Sequence, residues 1–166
     1  MKRLIIGFLL GGVLGAAVGL AFGIFIYPYW FPPPPGMEQV ANLESKRVVA
    51  TGQFIHVNTS DPVHWGRGGV TLYEGTDGVR LAFLERDFEV GPGPRFHVYL
   101  VDRAQVRSGD DFKSSEMVDL GPLRTFVGSQ NYSIPASVDL AKYNSVVIWC
   151  KQFNVLISPA TLVKKG

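Results

Sequence analysis

Cysteine is almost missing from this sequence: Cys150 stands alone among 166 residues. One thiol excludes an intrachain disulfide framework and any zinc site built on paired thiolates. Histidine is nearly as scarce. His56, His64 and His97 stand at no zinc-motif spacing, so no metal site is read from them. There is no C-x-x-C-H, which excludes covalent c-type haem attachment. A G-x-S-x-G nucleophile elbow, a P-loop and a dinucleotide fingerprint are all lacking, and no acid–base pair stands out among 14 scattered carboxylates. Excess charge is lacking too. The net +2 comes from Lys2 and Arg3, and the chain from Tyr27 onward is balanced. A neutral body carries no electrostatic footprint for nucleic acid.

What the sequence does have is apolar residues, 46% of the total, unevenly placed. Leu4 to Ile26 is a run of 23 residues without a charge. As a helix it spans roughly 34 Å, enough for a hydrocarbon core of about 30 Å. A cleaved signal peptide has a shorter apolar region followed by a small-residue site. Here the small residues near Gly15 to Ala17 lie in mid-run, so residues 1–26 are expected to form an uncleaved signal anchor, with cleavage as the alternative. Lys2 and Arg3 hold the N-terminus on the cytoplasmic side and send the rest across. Tyr27, Tyr29, Trp30 and Phe31 follow at once, as an interfacial aromatic belt does. Gly7, Gly11, Gly15, Gly19 and Gly23 recur at every fourth position. They mark a smooth helix face that predicts weak self-association.

Residues 27–46 read as a linker. Pro32 to Pro35 favour an extended polyproline spacer. Residues 47–166 hold short runs rich in Val, Ile, Phe, Tyr and Thr. These are VVATGQFI, GVTLYEG, VRLAFL, RFHVYLV, SVVIWC and FNVLIS, and each predicts a strand. Turn residues separate them at Gly66 to Gly69, Asp77-Gly78, Gly91 to Pro94 and Ser108 to Asp111. Asp77-Gly78 is the strongest hairpin signal. Only Val138 to Tyr143 reads as a helical turn. The expected fold is mainly β, a β-sandwich or barrel-like extracytoplasmic domain behind one transmembrane helix.

Strand parity puts Val146, Ile148 and Cys150 on one face, with Val147, Trp149 and Lys151 on the other. Lys151 needs water, so Cys150 should face the core. A buried lone thiol behaves as a small hydrophobe, whereas a redox thiolate or a haem ligand needs access. His64, beside Trp65 in a Gly-rich loop, is the histidine best placed to join a site. His97 should point away from the side of Phe96 and Val98. Asp87 and Phe88, ahead of GPGP, read as turn-ordering residues.

Taken in order, G-Q-F from Gly52, His64, G-V-T-L from Gly69, D-F at Asp87 and GPRFHVYL to Leu100 form a recognisable series. DLGPLRTFVGSQNYSIP from Asp119 and YNSVVIWCKQFNV from Tyr143 complete it. The series resembles the electron-transfer DM-thirteen (DM13) domain family over roughly residues 47–162. The resemblance implies a β-rich extracytoplasmic domain that works beside membrane cytochromes or other redox proteins. It assigns Cys150 as the hallmark cysteine, either a bare thiol or a ligand to a group such as haem. His64 is the candidate second participant. Two rivals stand against this reading. One is a non-catalytic binding or adhesion module in which Cys150 only packs, and the other is a hydrolase whose site leaves no motif.

Overall fold

A computed structural model describes residues 1–165. The apolar run forms one helix, α1 (Lys2–Trp30), long and apolar enough to cross a membrane. It continues past Ile26 because Tyr27, Pro28 and Tyr29 stay helical, with Pro28 inside its last turn. A Cβ built on any of the five laddered glycines would meet nothing within 4 Å, so the face they form is bare in the single chain.

Beyond the prolines come β1 (Gly36–Met37), β2 (Lys46–Phe54), β3 (Gly66–Arg67), β4 (Gly69–Gly75), β5 (Arg80–Leu84), β6 (Glu89–Val90) and β7 (Phe96–Val101). A short helix α2 (Gly109–Lys113) precedes β8 (Met117–Pro122), β9 (Gly128–Ile134), β10 (Ser145–Cys150) and β11 (Val155–Lys164). Nine strands make one curled sheet in the order β1-β9-β5-β4-β2-β11-β10-β7-β8, and β3 pairs with β6 beside it. Every pairing is antiparallel except β1 with β9. The curl brings the two ends of the sheet near each other: the Tyr132 hydroxyl on β9 lies 3.3 Å from the Pro122 carbonyl on β8. The architecture is mainly β and half-barrel-like, as the pattern of short strands implied. Asp77-Gly78 closes the β4–β5 hairpin, with Gly78 at φ 76°.

The concave side encloses the main core, including Leu72, Leu84, Phe88, Val98, Ile148 and Cys150. All six residues of β10 are buried, because its outer face is also covered. There Val147 and Trp149 pack with Tyr99, Val101, Val106 and Phe112 in a second cluster. Phe112 stacks on Trp149 with ring centroids 4.2 Å apart.

Phe112 is delivered by α2, which forms where a turn was expected. The Ser108 side chain accepts from Asp111 N (3.1 Å), capping the helix, and Asp110 and Asp111 occupy its favourable first turn. Residues 138–143, expected as a helical turn, are non-helical and instead tuck Val138, Leu140 and Tyr143 into the core. Part of the expected linker joins the sheet, since Gly36 and Met37 lie alongside Gly128 and Ser129.

Candidate functional site

Cys150 is the last residue of β10, paired with Phe96 on one side and Val155 on the other. Its exposure is 1%, and it shares the core with Val146 and Ile148 as parity required. The Gly91–Arg95 loop lies over it. The Cys150 thiol donates to the Pro94 carbonyl (Sγ to O, 3.2 Å), and Lys151 N donates to the Arg95 carbonyl at 3.1 Å. Gly93 permits this close lid, because a Cβ there would come within 2.3 Å of the Phe96 ring.

His64 sits in the loop between β2 and β3, held by Asp61. The ring Nδ1 lies 2.7 Å from Asp61 Oδ2, and Asp61 Oδ1 accepts from Val63 N (2.9 Å) and His64 N (3.1 Å). With Nδ1–H donating to the carboxylate, Nε2 is left as the free ring nitrogen. His56 closes the same loop, its Nε2 lying 2.8 Å from the Asp61 carbonyl. His64 and Asp61 line a cleft of about 320 Å³ with Arg107, Asn154, Val155 and Leu156. Val155 is also the cross-strand partner of Cys150. The thiol and the imidazole cleft therefore occupy the same end of the sheet, one strand apart. No hydrogen bond joins them among the described residues: Asp61 holds the imidazole and Pro94 holds the thiol.

The remaining candidates have structural work. Asp87 Oδ1 accepts from Gly69 N at 2.9 Å, which ties the segment after β5 to the start of β4 where a local turn was expected, and Phe88 is fully buried in the core. His97 points to the outer face, where Nδ1 lies 2.9 Å from Asp119 Oδ1. Asp119 also accepts from Tyr99 OH and from Lys151 Nζ. Burial works against its charge, but the bonds from His97, Gly121 N and Lys151 prevail and hold the carboxyl below its usual range. Sequence reasoning missed Asp61 and Pro94. Asp61, three residues before His64, carried a local signal as an Asx-type turn former. Pro94 carried none, since its contact to Cys150 joins residues 56 apart.

The hydrogen bond with the His64 side chain, with those from Val63 N and His64 N, pulls the Asp61 carboxyl from 3.8 down to about 2. A depressed carboxyl stabilises the folded loop above its unfolded value and loses that contribution as pH falls through its folded value. The loop from Asn58 to Trp65 should therefore loosen between pH 4 and 2. Amide exchange at Val63 and His64 should accelerate there relative to the core strands, and Asp61→Asn should produce the same acceleration at neutral pH. Unchanged relative protection across that range would show that the carboxylate does not organise the loop.

A family model described as Electron transfer DM13 matches residues 54–162, from the end of β2 to within β11. The chain belongs to the electron transfer DM13 family. No curated protein and no solved structure matches it. The DM13 match takes in Cys150, its Pro94 lid, the Asp61–His64 pair and all of β9 and β10. It leaves α1, the prolines and β1 outside.

Proposed function

We propose that this chain is a membrane-tethered redox module in which the DM13 domain stands outside the membrane and Cys150 is the working group. The observation that carries this reading is the placement of the domain's lone cysteine. It ends an interior strand beneath a two-proline loop, at the same end as the ordered His64–Asp61 pair. The residues do not fit a haem held by Cys150. The thiol is 1% exposed with its hydrogen bond already made, and the clefts beside it are lined by its neighbours and not by Cys150 itself. A bare thiol fits better.

With one cysteine, thiol chemistry needs a sulfur from a partner redox protein. When the Gly91–Arg95 loop lifts, the Cys150 thiolate attacks a partner disulfide. A mixed disulfide forms, the partner's second sulfur leaves as a thiolate, and the Cys150 proton goes to solvent. The His64 imidazole, held through Nδ1 by Asp61, stands at that end and is the second participant in this reading.

The enclosure of Cys150 favours one rival, a binding module in which the thiol only packs. Purified full-length chain decides between the two. Mixed-disulfide formation with oxidised glutathione at neutral pH under native conditions, at Cys150, supports the redox module. A thiol inert until the chain is denatured, with no Soret band and no bound metal, supports the binding module.

Under the same proposal, α1 anchors the chain with Lys2 and Arg3 inside the cell, and the Gly7, Gly11 and Gly15 stretch of its glycine face takes the α1 of a second copy. Replacing Gly11 and Gly15 by Ile should then remove crosslinked dimer from membranes. Unchanged crosslinking would leave the glycine face without that role.

A further inference from the structure

We propose that the Gly91–Arg95 loop and the tip of the β10–β11 hairpin rest in the lipid interface beside α1. The lid over Cys150 is then a lipid-contacting surface. The proposal rests on reading α1 as membrane-spanning.

Strand register fixes which end of the domain this is. Cys150, Val155, Phe96, Gly69 and Phe54 lie at one end of the sheet, and Ser145, Lys164, Lys46 and Gly75 at the other. β1 enters at Gly128, which is also at the Cys150 end, since Gln130 pairs with Leu84 there. Phe31 and four prolines separate α1 from β1, a reach of only about 16 Å. The Cys150 end must therefore stay close to where α1 leaves the membrane.

The contacts agree. An apolar slot of about 510 Å³ runs along α1, lined by Gly19, Leu20, Gly23, Ile24, Tyr27 and Pro28. The domain supplies one residue to it, Pro94, whose carbonyl holds the Cys150 thiol. In a bilayer, a slot of this composition beside a spanning helix is filled by acyl chains, because water there would find no polar partners.

The loop is chemically suited to that place. Pro92 and Pro94 have no N–H to desolvate, and Gly91 N already donates to the Trp65 carbonyl at 3.1 Å. The Trp65 indole lies against Gly91, where a Cβ would approach its Nε1 to 2.9 Å. Tryptophan at this level is the usual interfacial residue. The hairpin tip is tied to the same loop, with Lys151 N on the Arg95 carbonyl and Arg95 Nη1 donating to Gln152 Oε1 at 3.4 Å. That tip carries Phe153, 48% exposed, with the exposed Arg95 nearby to meet headgroup phosphates. A partner that reaches Cys150 must then come along the membrane surface.

The test uses the full chain in phosphatidylcholine nanodiscs containing lipids spin-labelled at the headgroup or high on the acyl chain. The readout is paramagnetic relaxation of backbone amides. Amides of Gly91, Gly93, Arg95, Phe153 and Asn154 should relax several-fold faster than those of Asp77 and Gly78 at the opposite end. Phe153→Ser should reduce the effect at the tip while leaving α1 fully affected. Strong relaxation along α1 with the tip no different from Asp77 and Gly78 would overturn the proposal and leave the anchor intact. No relaxation along α1 would overturn the anchor reading itself, and this proposal with it.

Discussion

Replacing Gln130 by Leu should destabilise the folded domain by about 3–5 kcal/mol, with little change in side-chain volume. Gln130 is fully buried on β9 and acts as a hub. Its Oε1 accepts from Arg124 N (3.1 Å), Thr125 N (3.2 Å) and Tyr132 OH (2.9 Å), while Nε2 donates to the Thr125 carbonyl at 2.9 Å. Leucine would strand the Thr125 N–H and carbonyl in a half-buried corner and leave Arg124 N only its 3.4 Å contact with the Tyr132 hydroxyl. Each such orphan costs about 1–3 kcal/mol. Tyr132→Phe removes one hydroxyl from the same hub and should cost much less, about 1 kcal/mol. Denaturant unfolding of the full chain in micelles, followed by near-ultraviolet circular dichroism, checks both. A Gln130→Leu loss below that of Tyr132→Phe would remove the hub from the account of this fold.

Cys150→Ser should leave the domain folded and abolish its thiol chemistry outright. Serine is close in size and can donate to the same Pro94 carbonyl, so its hydroxyl enters the core with a partner. A buried hydroxyl with no partner would cost about 1–3 kcal/mol, and the bond to Pro94 keeps the cost below that. The melting curve should stay cooperative. Val146, Ile148 and Phe96 hold the surrounding core with or without sulfur. Collapse of the fold in this variant would make Cys150 a packing residue and favour the binding-module rival.

The strands that could be read from sequence are those whose burial is apolar. Val146, Val147, Ile148 and Trp149, or Val98 to Val101, announce themselves by β-branched and aromatic side chains. β9 did not, because it carries Ser129 and Gln130 inward or across to neighbours and satisfies them by hydrogen bonds, while Asn131 donates Nδ2 to the Gln39 carbonyl and leaves its Oδ1 buried without a partner among the described residues. Polar burial of that kind has no periodic signature, although the surrounding LGPLRTFVGSQNY block is what made the family recognisable. The side of the strand that Cys150 faces was legible from Lys151. The reason the opposite face is also dry was not, since it depends on Phe112 arriving from α2 to stack on Trp149. Of the site, Cys150 and His64 could be picked out by residue type. The Pro94 lid could not, because only the finished pairing of β7 with β10 brings that loop over the thiol.

The central claim, that Cys150 is a redox centre, is tested most directly by equilibrating full-length chain in nanodiscs with glutathione buffers of graded potential. Trapped samples are then read by mass spectrometry for the reduced thiol and the mixed disulfide. The account predicts a reversible conversion with a single midpoint, confined to Cys150 and absent from Cys150→Ser, while the fold is unchanged by circular dichroism. A thiol that stays reduced at every potential until the domain is unfolded would contradict it.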